Sequence, residues 1–134
     1  MRRRALLLVF ATVAVGCEAP NEPLEPVWGK QPCAHCAMLV SQRDTAAQLT
    51  TDGGERFFFD DPGCMVAYIA QRNPKVRSMW VHLASQWVDP KVARYRRGGA
   101  TPMDFGFIPS ADGEASYADL ERVVLQRNEK EAVR

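Results

Sequence analysis

The order of apolar runs and chain breakers predicts an α+β fold, a small antiparallel sheet with covering helices. Three observations carry this. Ala46 to Thr51 and Glu55 to Phe59 read as strands flanking the turn residues Asp52-Gly53-Gly54, the pattern of a hairpin. Asp60-Asp61-Pro62 follows at once as a helix start, with Asp61 as N-cap and Pro62 at the first helical position. The order strand, hairpin, helix, strand shows no internal repeat, which fits α+β.

The remaining elements follow in chain order. Cys36 to Val40 reads as a short strand preceding the hairpin. The helix begun at Pro62 runs through Met65, Val66, Tyr68 and Ile69 to about Arg72, and Asn73-Pro74 ends it. Arg77 to Leu83 is a strand with Met79, Val81 and Leu83 on one face. Trp87-Val88 is extended, and Asp89-Pro90 begins a short helix or turn reaching about Tyr95. Arg96 to Pro102 is a basic, glycine-containing loop, and Asp104 to Pro109 a last strand rich in β-formers. A C-terminal helix runs from about Ser116 to Asn128, with Leu120, Val123 and Val124 on one side.

The 134 residues suit one small domain plus a leader. Arg2 to Arg4 form a positive n-region and Ala5 to Val15 an apolar run too short to span a bilayer. The run ends in Ala14-Val15-Gly16-Cys17, similar to the lipobox of bacterial lipoproteins. Residues 1–16 are therefore expected to be a signal peptide and Cys17 the lipidated N-terminus, holding the protein on the cell envelope, facing the periplasm or the exterior. Residues 17–26, with three prolines from Glu18 onward, read as a solvated tether, and 27–134 as the folded domain. Removing the leader arginines takes the formal charge from +1 to −2. No basic stripe interleaved with aromatics exists, so nucleic-acid binding is set aside.

The chemistry concentrates in Cys33-Ala34-His35-Cys36-Ala37-Met38. Two thiols, an imidazole and a thioether lie within six residues. Sulfur donors select soft ions, and a thioether beside thiolates favours Cu(I) over Zn²⁺. On a strand, Cys36 and Met38 would share a face and clamp one ion. Further donors are Cys64, at a helix N-terminus where thiolates form more easily, and Met103, in a loop stiffened by Pro102. With Cys17 lipidated, three thiols remain. The odd number leaves one free or shared between chains, so a homodimer stays open.

Together these residues resemble the NosL family, the accessory lipoproteins of nitrous-oxide reductase. The landmarks are Cys33-x-x-Cys36-x-Met38, Ala47-Gln48-Leu49, the stretch from Phe59 to Tyr68, Trp80-Val81-His82, Trp87-Val88-Asp89 and Thr101-Pro102-Met103. The resemblance implies a Cu(I) chaperone, not an enzyme, that supplies the reductase's copper sites through an ABC-type assembly complex. It implies a domain of organomercurial-lyase-like fold. By position, Cys36 and Met38 match the family's Cys-x-Met pair best, Met103 its late Pro-Met element, and Cys33 and Cys64 only some members. Asp104 and Leu83 depart from the pattern, standing where Gly and Asp are common.

Two other readings of the same residues remain. Cys33-x-x-Cys36 has redox-motif spacing, so a thiol oxidoreductase, or a lyase acting on a carbon–metal bond, is one alternative. A structural zinc module built from Cys33, Cys36, Cys64 and a histidine is the other. In an oxidising compartment Cys33 and Cys36 are also candidates for a disulfide.

Overall fold

A computed structural model describes residues 21–134; the expected signal peptide, Cys17 and the start of the tether lie outside them. The fold is α+β. Strands β1 (Ala47–Thr51), β2 (Arg56–Phe59), β3 (Val76–Leu83) and β4 (Gln86–Val88) form an antiparallel sheet in the order β2-β1-β3-β4. Strands β5 (Tyr95–Arg97) and β6 (Phe107–Pro109) make a separate two-stranded ribbon. Helix α1 (Pro62–Arg72) packs on β1 and β2, and helix α2 (Tyr117–Ala132) packs on α1. Among the described residues no helix is long and apolar enough to cross a membrane.

Pairing register sorts the side chains. Leu49 lies opposite Phe57 and Met79, and Ala47 opposite Phe59 and Val81, so these residues share one face. That face meets the helices: Tyr68 of α1 packs on Phe57 and Phe59, and Tyr117 of α2 reaches the Met79 sulfur. The other face carries Gln48, Trp80 and His82. Gln48 exchanges hydrogen bonds with the Leu24 backbone, and Arg56 donates to the Glu22 carbonyl. Residues 22–25 thus lie against the sheet where the sequence suggests a solvated tether. Central β1 is consequently buried on both sides.

Local chemistry sets the helix limits. The Asp61 carboxylate accepts the Gly63 N–H at 2.8 Å, the expected N-cap, and Asn73 closes α1 in the left-handed region at φ 46°. Ser116 and Asp119 form a capping box at the start of α2.

Three expectations need correction. The stretch 36–40 is not a strand. The Cys33 N–H bonds to the Met38 carbonyl at 2.7 Å, the Ala37 N–H to the Cys33 carbonyl at 3.0 Å, and Ala37 sits at φ 65°. Cys33–Met38 is a tight reversal closed by the Pro32–Leu39 bridge and by the Val40 N–H bond to the Gln31 carbonyl. The basic loop expected from Arg96 begins later, since Tyr95–Arg97 pairs with β6. The last strand is shortened to Phe107–Pro109; Asp104 and Gly106, at φ 55° and 73°, turn the chain before it.

Candidate metal centre

The reversal at 33–38 and the start of α1 converge on three sulfurs. The Ala34 N–H bonds to the Phe58 carbonyl, which fixes the reversal beside the end of β2. The chain leaves β2 through Asp60 and Asp61 and enters α1, whose third residue is Cys64. The Sγ atoms of Cys33, Cys36 and Cys64 all lie within 4.8 Å of one another. Three sulfurs held about 2.3 Å from one ion in a trigonal plane would be about 4.0 Å apart. One soft ion fits with little movement.

The thiols differ in access and in acidity. Cys33 and Cys64 are buried; Cys36 is half-buried and forms the open side. The Cys64 thiol hydrogen-bonds to the Cys33 sulfur, and backbone N–H groups of Cys36, Asp60 and His35 also point to it. Together they outweigh burial and draw Cys33 down to about 5. Cys33 is the thiolate of the trio at neutral pH. Cys36 is pushed up, first by burial and then by Cys33, although the Met38 N–H offsets part of this. Cys64 is pushed far up because its thiol is engaged with the Cys33 sulfur and is buried. This corrects the expectation for Cys64: the helix N-terminus does not make it the ready thiolate, since burial and a neighbouring thiolate override the dipole.

The other sequence candidates fall around this cluster. His35 is half-buried and supplies a backbone N–H to Cys33. Met38 has its side chain at the surface, 41% exposed. With no strand beneath them, Cys36 and Met38 do not share a face by alternation. It is the Met38 backbone N–H that faces the Cys36 sulfur. Met103 lies on the loop that covers the start of α1. Its N–H donates to the Asp61 carboxylate at 3.1 Å, and its side chain packs against the same core as the cysteines.

The sequence marks Asp60 only as part of the helix start, yet it takes part in the site. Its backbone N–H faces the Cys33 sulfur. Its carboxylate, buried and raised above the usual range by that burial, accepts the Ser41 N–H at 3.2 Å. No sequence signal marks a backbone donor. Met65 and Met79 belong to the core or its edge. His82 is 4% exposed and sits between Trp28 and Trp87, edge-on to both at 5.9 and 5.0 Å.

No family model and no curated protein matches the chain. Its structure is similar to the crystal structure of the copper chaperone NosL from Shewanella denitrificans, with a TM-score of 0.58 and 16% sequence identity. The likeness covers 80% of this chain and 88% of that one. At this identity the likeness is one of fold.

Proposed function

We propose that the chain is a Cu(I) carrier of the bacterial cell envelope, anchored through Cys17, that delivers copper toward nitrous-oxide reductase by way of an ABC-type assembly complex. The observation that carries the reading is the gathering of Cys33, Cys36 and Cys64 into one site with graded access. The fold likeness to a copper chaperone supports the same reading.

The charges suggest how the site works. Cu(I) with two thiolates carries a net −1, and a third buried thiolate would raise this to −2 at a steep desolvation cost. Cys33 is already ionised, and the half-buried Cys36 loses its proton when the ion arrives. Cys64 keeps its proton and its hydrogen bond to Cys33, serving as a weak third donor. Met38, exposed and two residues from Cys36, would offer the thioether through which the ion enters and leaves by ligand exchange. The ion is carried without any bond of a substrate being made or broken.

The test is a competition of the reduced protein against a Cu(I) chelator under anaerobic conditions. Cys36→Ser is expected to weaken binding by more than about 100-fold, and Cys64→Ser by about 10–100-fold. Met38→Leu is expected to slow transfer more than it lowers affinity. Unchanged affinity in Cys33→Ser and Cys36→Ser together would reject the site. Zn²⁺ retained in preference to Cu(I) would favour the zinc reading. Loss of the chain from the cell is expected to leave the reductase copper-poor.

A further inference from the structure

Residues 22–25 are held by the sheet much as a peptide is held by a binding protein. Gln48, on the inner strand β1, is fully buried. Its side-chain amide accepts the Leu24 N–H at 3.0 Å and donates to the Leu24 carbonyl at 2.8 Å. One side chain thus reads both polar groups of one backbone residue. Arg56 of β2 donates to the same Gln48 oxygen at 2.5 Å and to the Glu22 carbonyl at 2.7 Å. Glu25 accepts the indole N–H of Trp87, on β4, at 2.8 Å and that of Trp28 at 2.9 Å. Traced toward the N-terminus, the segment crosses the sheet from β4 at Glu25, over β1 at Leu24, to β2 at Glu22. The sequence Glu22-Pro23-Leu24-Glu25-Pro26 suits this path, because each glutamate precedes a proline and is biased toward extended backbone.

A spacer between lipid and domain needs none of these bonds, and their effect is to shorten it. With the segment held, about five residue steps separate Cys17 from Glu22, a reach of at most about 18 Å. With it released as far as Trp28, about eleven steps would reach about 40 Å. The held end also lies at the edge strand that carries the thiols. Phe58, two residues beyond Arg56 on β2, accepts the Ala34 N–H at 2.9 Å and so docks the reversal of Cys33 and Cys36. The same strand leads into the helix start that carries Cys64.

We propose that Gln48, Arg56 and Glu25 form a clasp on residues 22–25 that keeps the thiol-bearing edge of the domain close to the bilayer, where the cargo ion passes to an acceptor held at the membrane. The inference rests on the anchored-carrier reading above. The local concentration of a membrane-held acceptor falls roughly as the 3/2 power of leash length, so the clasp raises it about threefold.

The experiment places the lipidated full-length chain on vesicles of phosphatidylethanolamine and phosphatidylglycerol that carry a dansyl headgroup lipid. Three forms are compared. Gln48→Leu keeps the side-chain volume and removes both amide bonds. An insertion of about six glycine and serine residues between Asn21 and Glu22 leaves the clasp intact but gives back the length it removes. The Leu24 amide is expected to be protected from hydrogen exchange in the wild type and the insertion, and to exchange fast in Gln48→Leu. Energy transfer from the tryptophans to dansyl is expected to fall in both variants. Handover of Cu(I) to a thiol chelator carried on a lipid headgroup is expected to slow about threefold in both, while handover to the same chelator free in solution is unchanged. Should Gln48→Leu fail to fold, the insertion and the wild-type Leu24 exchange decide. Fast exchange at Leu24 in the wild type, or energy transfer and handover unchanged in both variants, overturns the inference and leaves the carrier reading standing. A chain recovered from cells without lipid on Cys17 would overturn the anchor and the clasp's purpose together. A wild type that retains no Cu(I) would overturn the carrier reading, and the energy transfer alone would then decide the clasp.

Discussion

Cys33 shows how a buried sulfur becomes the most acidic thiol of a site. Its charge is met by the Cys64 thiol and by three backbone N–H groups. The folded protein holds a thiolate where the unfolded chain, at about 9, holds a thiol. A lowered value makes the stabilising contribution complete above the unfolded value and removes it as pH falls through the folded one. The reduced, metal-free protein is thus expected to lose stability steadily from pH 9 down to about pH 5. Denaturant midpoints across that range check this, and Cys33→Ser should flatten the slope. Thiolate absorbance should likewise show one group titrating near pH 5 and vanishing in Cys33→Ser. Two groups titrating there, or none, would contradict the assignment. Sequence alone pointed to Cys64 as the thiolate because the helix start at Asp61-Pro62 was readable. It could not show that Cys64 would be fully buried and would face a second sulfur.

Elements whose limits are written in capping and turn chemistry were the legible ones. Asp61-Pro62 and Asn73-Pro74 bound α1 as expected, and the glycines at 53 and 54 mark the β1–β2 hairpin. The reversal at 33–38 was not legible, because its closure depends on a sulfur collecting N–H groups and on a bond to β2 that no local pattern announces. The β3–β4 hairpin is closed by Ala84 and Ser85 at φ 46° and 70°, a two-residue turn that ordinarily calls for Asn-Gly. Ala84→Asn with Ser85→Gly is expected to stabilise the protein by about 1 kcal/mol by relieving left-handed strain at two side chains. A thermal melt that moves up by a few degrees would bear this out; an unchanged or lower midpoint would count against it. The N-terminal segment is secured differently. Glu25 accepts the indole N–H groups of Trp28 and Trp87 at 2.9 and 2.8 Å and pairs with Arg43 at 3.4 Å. Glu25→Ala is expected to cost about 1 kcal/mol. The loss should be local, as faster hydrogen exchange at residues 22–28 and altered tryptophan emission, with α1 and α2 unaffected. Uniform loss of protection across the helices would refute this local role.

The placement of the sulfur cluster bears on whether metal holds the fold together. A structural zinc site stands in for a missing core, and stripping the ion unfolds the domain. Here most of the core consists of apolar side chains other than the cysteines. Leu49, Phe59, Met65, Val81, Leu120 and Val124 are buried between the sheet and both helices; Cys33 and Cys64 join this core where β2 hands over to α1, and Cys36 packs at its edge. The fold class was readable beforehand because that core follows from alternation in the strands and periodicity in the helices. The convergence of residues 33, 36 and 64 was not, since it arises from how the reversal docks on β2. Binding that leaves most of the core untouched should stabilise only by mass action, growing with the logarithm of free ion over its dissociation constant. Removal of Cu(I) by a strong chelator is thus expected to lower the melting temperature while the far-ultraviolet circular dichroism and the sharp near-ultraviolet signals of the tryptophans persist. Trp28 and Trp87 report on this directly, because their packing around His82 lies on the sheet face opposite the one that meets the helices. A carrier must survive each unloading to be loaded again, and a core made mostly of apolar side chains other than the three cysteines permits that. Collapse of both spectra on chelation would show instead that the sulfurs and their ion are part of the framework, and the carrier reading would give way to a structural one.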